Sequence, residues 1–360
     1  MCRHASPPSS TPDTFVKRIS MSLLGLMAVS TAALAEITVI SEPSGYTTLN
    51  LPAGASTFVG LNLVPPTAYA GTFDIVATDT TRRTITLTAA GTGLADNQFN
   101  TVPHFIEITT PGSHQGLNTV IVGTYTSGNS VVVQDSLPAD IVNGGTVTIR
   151  RQWTLSSVFG ATNQAGLTGS ISSNSADLIR VPNRASGYDQ YFYSTGGFTG
   201  VGWRQIGAGT ANKANTPLYF SEGFFIFNRG AAKSVNVTGS IKTGPTQVLI
   251  ETGNNYLVNL CPVQSDISSL GRTLGNSGLY NGTTNGLTGA TSAENADLVL
   301  VPNGAGYIQY FYSTGGFTGV GWRKIGAGST DQSATPLPEG CFIVYRKAAP
   351  VMVQFTQGSF

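Results

Sequence analysis

The sequence predicts an all-β fold, with a small N-terminal β-barrel or sandwich followed by two duplicated antiparallel β-domains. Its apolar runs are short, many of them alternate with polar residues, and none keeps the helical period of about 3.6 residues. Glycine occurs 44 times in 360 residues, and Gly, Asn and Asp separate the apolar runs as turn residues do. A long segment also occurs twice, which is typical of a chain that repeats one structural unit.

The composition is typical of a secreted β protein and not of a cytosolic enzyme. Charged residues make up only 10% of the chain, against about 25% in ordinary soluble domains. Apolar residues make up 40%, which is enough for a sizeable core and argues against disorder. Uncharged polar residues therefore replace charged ones on the expected surface.

The N-terminus predicts export. Lys17 and Arg18 precede an apolar run at 23–34 that is too short to span a bilayer, and a cleavage pattern, Ala-Leu-Ala, ends this run. We therefore predict a signal peptide at residues 1–35 and a mature protein in the periplasm, on the cell surface or outside the cell. A retained membrane anchor is the alternative. No later segment approaches the roughly 18 apolar residues of a membrane helix, so no transmembrane helix is expected after cleavage.

The charge balance does not favour a nucleic-acid partner. The full chain has 19 Lys and Arg against 18 Asp and Glu, a net charge of +1 at pH 7. Cleavage would remove Arg3, Lys17, Arg18 and Asp13 and leave the mature chain near −1. A chain without excess positive charge attracts neither nucleic acid nor an anionic membrane surface.

Residues 36–152 are predicted to form the N-terminal β-domain. Short apolar runs in this region are separated by turn residues such as Asp79, and about six strands of this kind fit a small barrel or sandwich. The predicted strands lie at 73–77, 84–88, 104–109, 118–125, 131–133 and 146–150.

Residues 191–204 and 310–323 carry the same fourteen-residue phrase, YFYSTGGFTGVGWR. The match continues on both sides, and each copy contains about five strand-like runs. A Gly-Gly pair inside the phrase marks the turn of a hairpin, and one helical turn is expected at each of 155–159 and 267–270. The predicted division is 153–237 for the first β repeat, 238–263 for linking strands and 264–360 for the second β repeat.

Each copy contains an Asp-Leu strand, then GY-x-x-YFY, then Gly-Trp-Arg and finally EG-x-F-I-x-x-R. This pattern resembles a family of conserved hypothetical exported proteins of Gram-negative bacteria, and the resemblance covers most of the mature chain. It implies export and a β fold, and it transfers no catalytic residue to this sequence. The departure here is that the core motif occurs twice in nearly identical form.

Residues with metal-binding or cofactor-binding chemistry are sparse. His104 and His114 are the only histidines beyond the predicted signal peptide, and a metal site would need further ligands. Phosphate-binding and dinucleotide-binding glycine loops are absent from the sequence. We therefore predict no metal and no cofactor.

The duplicated acids are Asp177 with Asp297 and Glu222 with Glu339. Two carboxylates could serve a glycosidase. Strand entrances and turns favour acidic residues for backbone reasons, however, and Glu222 could form an ion pair with an arginine of its repeat. We therefore predict no catalytic residue and expect that the protein is not an enzyme.

The aromatic residues of the duplicated phrase are candidate ligand-binding residues. Flat aromatic faces stack on sugars or peptide side chains, and Tyr and Trp suit half-exposed positions. The alternative is that they form the hydrophobic core of a small β-domain. Because side chains alternate along a strand, one set must face outward or into a second layer. The candidates are Tyr191, Tyr193 and Trp203 with Tyr310, Tyr312 and Trp322, and they are accompanied by Phe198 and Phe317.

A disulfide bond is predicted between Cys261 and Cys341, the only cysteines beyond the predicted signal peptide. Disulfides persist in the compartments that exported proteins reach. Cys341 aligns in sequence with Phe224, and Cys261 aligns with Val64 through a faint Asn-Leu-x-Pro echo. A paired gain of two cysteines explains both positions, and two buried free thiols are the alternative.

These observations favour an exported structural or adhesive surface protein without catalytic activity. The alternative is a carbohydrate- or peptide-binding module protein that uses the duplicated aromatic residues. Candidate partners are an extracellular glycan or a surface protein. A transmembrane β-barrel would need alternating strands of about ten residues, and the strands predicted here are shorter and interrupted by glycine turns.

Overall fold

Nearly all of the regular structure is β-strand, which confirms the predicted all-β fold. The predicted signal peptide at 1–35, Cys261 and the helical turn expected at 267–270 lie outside the described residues. Two strands, β1 (Ser44–Leu51) and β2 (Ser56–Val59), precede a six-stranded barrel. The computed structural model describes residues 42–88, 94–183, 187–260, 272–282, 285–304, 306–338 and 340–355.

The six strands predicted in the N-terminal region are all present, and they close into an antiparallel barrel. They pair in the order β3-β4-β7-β6-β5-β8, and β8 pairs back to β3. Alternating apolar side chains fill the interior, where Phe73, Ile85 and Val131 are completely buried. Closure leaves the barrel without an open sheet edge. The strands are β3 (Thr67–Ile75), β4 (Thr84–Leu87), β5 (His104–Ile108), β6 (Asn118–Tyr125), β7 (Ser130–Val133) and β8 (Gly145–Arg151).

The first repeat completes its sheets with β1 and β2. It contains β9 (Trp153–Thr154), β10 (Leu178–Asn183), β11 (Gly187–Thr195), β12 (Val201–Gln205), β13 (Pro217–Leu218), β14 (Phe224–Phe227) and β15 (Lys233–Ser240). A five-stranded antiparallel sheet has the order β12-β11-β10-β14-β2, and β1 pairs with β15. The expected helical turn is α1 (Leu155–Phe159), which Thr154 caps. The barrel is thus inserted into this unit between β2 and β9.

The second repeat has the same plan without an insertion. Its strands are β16 (Thr246–Ile250), β17 (Gly253–Val258), β18 (Leu298–Asn303), β19 (Gly306–Thr314), β20 (Val320–Lys324), β21 (Cys341–Arg346) and β22 (Val351–Phe355). The sheet order is β17-β21-β18-β19-β20, and β16 pairs with β22. Tyr193 lies opposite Trp203 in the first copy, and Tyr312 lies opposite Trp322 in the second. The duplicated phrase therefore forms the same hairpin twice.

The structure divides the chain differently from the predicted boundaries at 36–152 and 238–263. β1 and β2 belong to the sheets of the first unit, and the linking segment supplies β16 and β17 to the second unit. The physical reason is that β1 pairs with a strand at the far end of the first unit. Hydrogen bonds between segments so distant in the chain leave no local pattern in the sequence.

The strand register also corrects the alignment around Cys341. The pairing of β14 with β10 and of β21 with β18 puts Phe342, not Cys341, in the place of Phe224. The Cys341 side chain is buried, and burial raises the pKa of its thiol. Because Cys261 lies outside the described residues, the disulfide bond stays a prediction.

A buried aspartate ties the first unit together. The Asp177 carboxylate accepts hydrogen bonds from the backbone amides of Thr168 at 2.6 Å and Arg229 at 2.7 Å. It also pairs with Lys233 Nζ at 2.8 Å. Burial raises the pKa of Asp177, but these hydrogen bonds outweigh burial and hold the pKa below its usual value.

Asp297 takes the same position in the second unit. Its carboxylate accepts hydrogen bonds from the backbone amides of Thr288 at 2.7 Å and Lys347 at 2.8 Å. The cation here is Arg346, whose Nη1 lies 2.8 Å from Asp297 Oδ2. Both duplicated aspartates are therefore occupied by structural contacts.

Two ion pairs join the barrel to segments that flank the β1–β15 pair. Arg150 on β8 pairs with Glu42 just before β1, with Nη2 2.6 Å from Oε1 and Nη1 3.0 Å from Oε2. Glu107 on β5 pairs with Lys242 just after β15, and both side chains are buried. Burial raises the pKa of Glu107 and lowers that of Lys242, while their mutual attraction opposes both shifts. The barrel is thus held by charges that are largely removed from water.

Replacing Asp177 with Asn should destabilise the protein, because the amide loses the charge that pairs with Lys233 and turns an NH2 group toward amide donors. We expect a loss of about 1–3 kcal/mol in the free energy of unfolding at neutral pH. The difference from wild type should shrink in acid. A carboxylate with a lowered pKa stabilises the fold above the unfolded-state pKa of about 4, and this contribution is lost as the pH falls through its folded-state pKa.

Urea denaturation over a series of pH values measures the effect of the Asp177 replacement. The matched control is Glu294→Gln, which alters an exposed acid and should change stability little. A loss in Asp177→Asn that is independent of pH would contradict the role assigned to the carboxylate.

Replacing Lys242 with Met should lower the free energy of unfolding by about 3–5 kcal/mol, because Glu107 is left buried without this partner. Adding Glu107→Met in the same chain should recover much of the loss, since the double variant buries no unpaired charge. Chemical denaturation of both variants checks this. A double variant as unstable as Lys242→Met alone would show that the ion pair does not explain the loss.

Candidate functional site

A tight loop occurs at the end of the hairpin in both copies of the duplicated phrase. It joins β11 to β12 at residues 196–200 and β19 to β20 at residues 315–319; these two segments are named the tip loops. Each contains a 3₁₀ turn, Gly197–Thr199 or Gly316–Thr318. β12 and β20 are edge strands of their sheets, so each tip loop lies at a sheet edge.

Glycine determines the path of each tip loop. The φ angles of Gly196, Gly197 and Gly200 are 145°, 70° and 70°. The matching glycines of the second tip loop have φ angles of 143°, 74° and 72°. Side chains other than hydrogen are strained at these positive φ values, so the identical glycines produce the identical loop in both copies.

Each tip loop carries one phenylalanine that points away from the protein. Phe198 is 94% exposed and Phe317 is 100% exposed. Val201 and Val320, which follow the loops, are 63% and 65% exposed. Scattered exposed apolar residues are normal on protein surfaces. A phenylalanine that is almost wholly in water at the same place in two units is a stronger indication of a contact site.

A buried arginine braces each tip loop from within. The Arg204 guanidinium donates a hydrogen bond to the backbone carbonyl of Thr199 at 2.6 Å. It also donates to the carbonyls of Val201 at 2.9 Å and Trp203 at 3.1 Å. Arg323 donates to the three matching carbonyls at 2.7, 2.8 and 2.9 Å. Charge-assisted bonds from a planar fork are strong and directional, so the loop has its shape before any partner arrives.

Hydroxyl groups complete the hydrogen-bond network of each tip loop and its flanking residues, 194–204 and 313–323, which are named the tip hairpins. Ser194 Oγ donates to the Gly196 carbonyl at 3.0 Å and lies 2.9 Å from Thr199 Oγ1. The Gly200 amide donates to the Gly197 carbonyl at 3.2 Å. The second tip loop repeats these contacts. Much of the polar backbone at the tip is therefore satisfied by the hairpin itself.

Five of the six aromatic residues proposed from the sequence as a binding face lie in the core beneath the tip loops, and the sixth, Tyr312, is half-buried against that core. Trp203 is 0% exposed, and its Nε1 donates to the Gly160 carbonyl at 2.9 Å. Buried rings offer no face to a ligand, so the structure corrects the binding-face interpretation of these residues. Tyr191, Tyr193, Trp203, Tyr310 and Trp322 are buried, and Tyr312 is half-buried and stacked on Tyr280.

Both faces of β11 are covered, which the alternation of side chains allowed but did not specify. Phe192 points to the face opposite Tyr191 and Tyr193, and it is buried against Leu178 and Phe227. Phe192 is therefore covered by side chains of neighbouring strands of its own sheet, where the sequence also allowed an outward face.

Sequence reasoning grouped Phe198 and Phe317 with the other aromatic residues and did not single them out. The signal that distinguishes them is their place in Gly-Gly-Phe-Thr-Gly, at a turn and not along a strand. A turn residue has few neighbouring strand side chains to bury it, and loops on a rigid scaffold often carry function.

The remaining candidate residues have structural partners or lie outside the described residues. His104 is buried with Nδ1 2.7 Å from the Val102 carbonyl oxygen, and burial lowers its pKa. His114 Nε2 lies 2.8 Å from Asp140 Oδ2. Glu339 belongs to the part of the chain that is not described. In the described part, no group of three or more His, Cys, Asp or Glu residues could hold a metal ion.

The ion pairs of the barrel border a polar cavity of about 360 Å³. Glu42, Glu107, Arg150 and Lys242 all line it, and the two acids pair with the two bases. Burial alone would raise the pKa of Glu42. Hydrogen bonds, led by those from Arg150, outweigh burial and lower this pKa to about 2. Because these charges compensate one another, we assign the cavity to the anchoring of the barrel.

Replacing Arg204 with Lys should loosen the first tip loop, because an ammonium group lacks the planar fork that reaches carbonyls on both sides of it. We expect amide hydrogen exchange at 197–201 to accelerate by about tenfold or more, the effect of losing one charge-assisted hydrogen bond. Exchange in the second tip loop should not change. Mass spectrometry of deuterium uptake measures both loops in one sample.

The control for the Arg204 replacement is Arg83→Lys on the barrel, where the Arg83 Nε donates to the Val133 carbonyl at 2.7 Å. This change should leave both tip loops as protected as in the wild type. Unchanged protection of the first tip loop in Arg204→Lys would mean that glycine geometry alone holds the loop.

Comparisons with protein-family models, with curated proteins and with solved structures found no match to this chain. The resemblance to a family of conserved hypothetical exported proteins therefore stays a prediction. Among the described residues, no helix is long and apolar enough to cross a membrane. The tip loops are the feature of the structure from which a function can be argued.

Proposed function

We propose that this chain is an exported, non-catalytic adhesive surface protein that attaches by inserting Phe198 and Phe317 into an apolar surface. The observation that carries the proposal is the pair of braced tip loops, each of which holds one phenylalanine almost entirely in water. Burying such a side chain is favourable by about 1.5–3 kcal/mol. A loop that is already rigid loses little conformational entropy on binding, so each tip is an anchor ready for contact.

A comparison of the two copies supports a contact role for the phenylalanines. In the core, the strand register matches Phe225 of the first copy with Ile343 of the second, so the fold tolerates exchange of one apolar residue for another. Phe198 and Phe317 have almost no contact with the core, yet both copies keep phenylalanine there. The agreement extends over all fourteen residues of the duplicated phrase, so the two copies present the same exposed phenylalanine on the same braced loop.

The proposal assigns no catalysis to the duplicated acids. Asp177 and Asp297 are buried and hold backbone amides and cations in place, which leaves them no role toward a substrate. The tyrosines and tryptophans that would have stacked on a sugar are in the core. Attachment through the exposed phenylalanines is therefore the function that the geometry supports best.

Attachment to a phenyl-coated sensor surface tests the proposal. We expect wild-type protein to bind, the single variants Phe198→Ser and Phe317→Ser to dissociate about tenfold faster or more, and the double variant to bind at background level. The two single variants should resemble each other, because the tip loops are the same.

Tyr46→Ser is the matched control, because Tyr46 is an aromatic residue on β1 that is 74% exposed and lies outside the tip loops. This variant should bind like the wild type. If Tyr46→Ser loses as much attachment as the double variant, or if the double variant binds normally, adhesion does not depend on the tip loops.

A further inference from the structure

We infer that the apolar surface reached by the tip loops is a lipid bilayer with zwitterionic headgroups. This inference rests on the proposed function and names the target of the same two phenylalanines. It follows from the charge, the backbone hydrogen bonds and the side-chain chemistry of the tip hairpins.

The residues that lead up to Arg204 and Arg323 in the tip hairpins carry no charged side chain over ten positions. Residues 194–203 and 313–322 both read Ser-Thr-Gly-Gly-Phe-Thr-Gly-Val-Gly-Trp. The next residue, Arg204 or Arg323, is buried and donates to backbone carbonyls of its own hairpin, and Arg323 Nη1 also lies 3.2 Å from Asp331 Oδ1. Charged groups are costly to bring into a membrane. The guanidinium beside each tip loop is already bonded to carbonyls of its own hairpin, which lowers that cost.

The backbone of the tip is also prepared for an environment with little water. Within a bilayer, each unpaired backbone polar group costs free energy. The tip hairpin supplies hydrogen-bond donors to several of its own carbonyls, so the loop can leave water at a small penalty. In the first copy these carbonyls are those of Gly196, Gly197, Thr199 and Val201.

The same contacts favour a lipid surface over a recess in a partner protein. A specific protein interface combines an apolar anchor with polar groups that recognise the partner. In the tip hairpin, the hydroxyl groups of Ser194 and Thr199 bond to each other, and the Arg204 guanidinium donates to carbonyls of the hairpin. The exposed side chains at the first tip are those of Phe198, Val201 and Thr195, and the phenyl and valine groups suit any apolar medium.

The charge pattern selects the kind of lipid. Anionic membranes attract proteins through clusters of Lys and Arg, and no such cluster lies within 194–203 or 313–322. Binding to zwitterionic lipid should therefore be insensitive to salt. A second anchor strengthens attachment when both anchors reach the same surface, and this chain has two tips.

Co-sedimentation with phosphatidylcholine vesicles tests the inference. The protein used is the chain from residue 36 onward, which contains the compact unit Glu42–Phe360 and lacks the apolar run at 23–34 that would itself enter lipid. Phe198→Ser and Phe317→Ser should each weaken partitioning about tenfold or more. The double variant should stay in the supernatant, Tyr46→Ser should sediment like the wild type, and added salt should not release the wild type.

A second variant reports insertion directly. Phe198→Trp places a fluorophore at the tip while the native Trp203 stays buried. With vesicles, its emission should shift to shorter wavelength, and lipids brominated on their acyl chains should quench it. Sedimentation of this variant should remain as strong as that of the wild type, because the tip keeps an aromatic side chain.

Three results would overturn the inference: wild-type protein that ignores phosphatidylcholine vesicles or binds only anionic ones, a double variant that still sediments, or Phe198→Trp emission that does not respond to lipid. If any of these occurs while Phe198 and Phe317 remain necessary on the phenyl-coated sensor, the proposed function stands and the target is a recess in a protein. If attachment to that sensor is also independent of the two phenylalanines, both proposals are wrong.

Discussion

The ion pairs that hold the barrel in the first unit are the constraint on which the rest of the structure depends. Because β3 and β8 are neighbours in the closed barrel, its two ends lie side by side, and it can interrupt the chain between β2 and β9. Its orientation is then fixed by the pairs of Arg150 with Glu42 and of Glu107 with Lys242. Glu42 and Lys242 flank the same end of the β1–β15 pair, so both pairs clamp this end of the unit to the barrel. Buried ion pairs add little stability in themselves. The contribution of these two pairs is to define the position of the barrel relative to the β1–β15 pair.

In the tip hairpin, one arginine serves the loop and the sheet edge together. Edge strands expose unpaired backbone groups that can pair with another chain. Arg204 donates to the carbonyls of Val201 and Trp203, and the Lys213 amide also donates to the Trp203 carbonyl at 3.0 Å. Outward carbonyls of β12 are thus occupied by the same guanidinium that braces the loop at Thr199. The hairpin can therefore present a phenylalanine to an apolar surface without also offering an open edge for aggregation.

The sequence was sufficient for features that depend on neighbouring residues. Turn residues and alternating apolar runs located the six barrel strands, and the turn α1 lies at the predicted residues. Pairings between distant segments could not be read, which is why β1 and β2 were predicted to belong to the wrong unit. Burial of Tyr193 was undetermined for a related reason, since alternation assigns a side chain to a face but does not say what covers that face. The glycine-rich turn around Phe198 could have predicted that this side chain is exposed. Because Phe198 is aromatic like Trp203, it was grouped with that residue instead.

An aromatic contact joins the two units at the strands that lead toward the two tips. Tyr188 on β11 and Tyr256 on β17 share a hydrogen bond at 2.8 Å, and Tyr256 also meets the Phe225 ring edge-on at 5.6 Å. β19 begins near the same contact, because Tyr307 at its start lies close enough to Tyr188 to be affected by it. Burial, followed by the effect of Tyr188, raises the pKa of Tyr307. Each tip loop follows the far end of its strand, so Phe198 lies about 20–25 Å along β11 from this contact at roughly 3.3 Å per residue. Two anchors on rigid supports act together only where the surface is apolar at both contact points. A continuous medium such as a bilayer satisfies this condition over its whole area, whereas a single recess in a protein can receive only one tip.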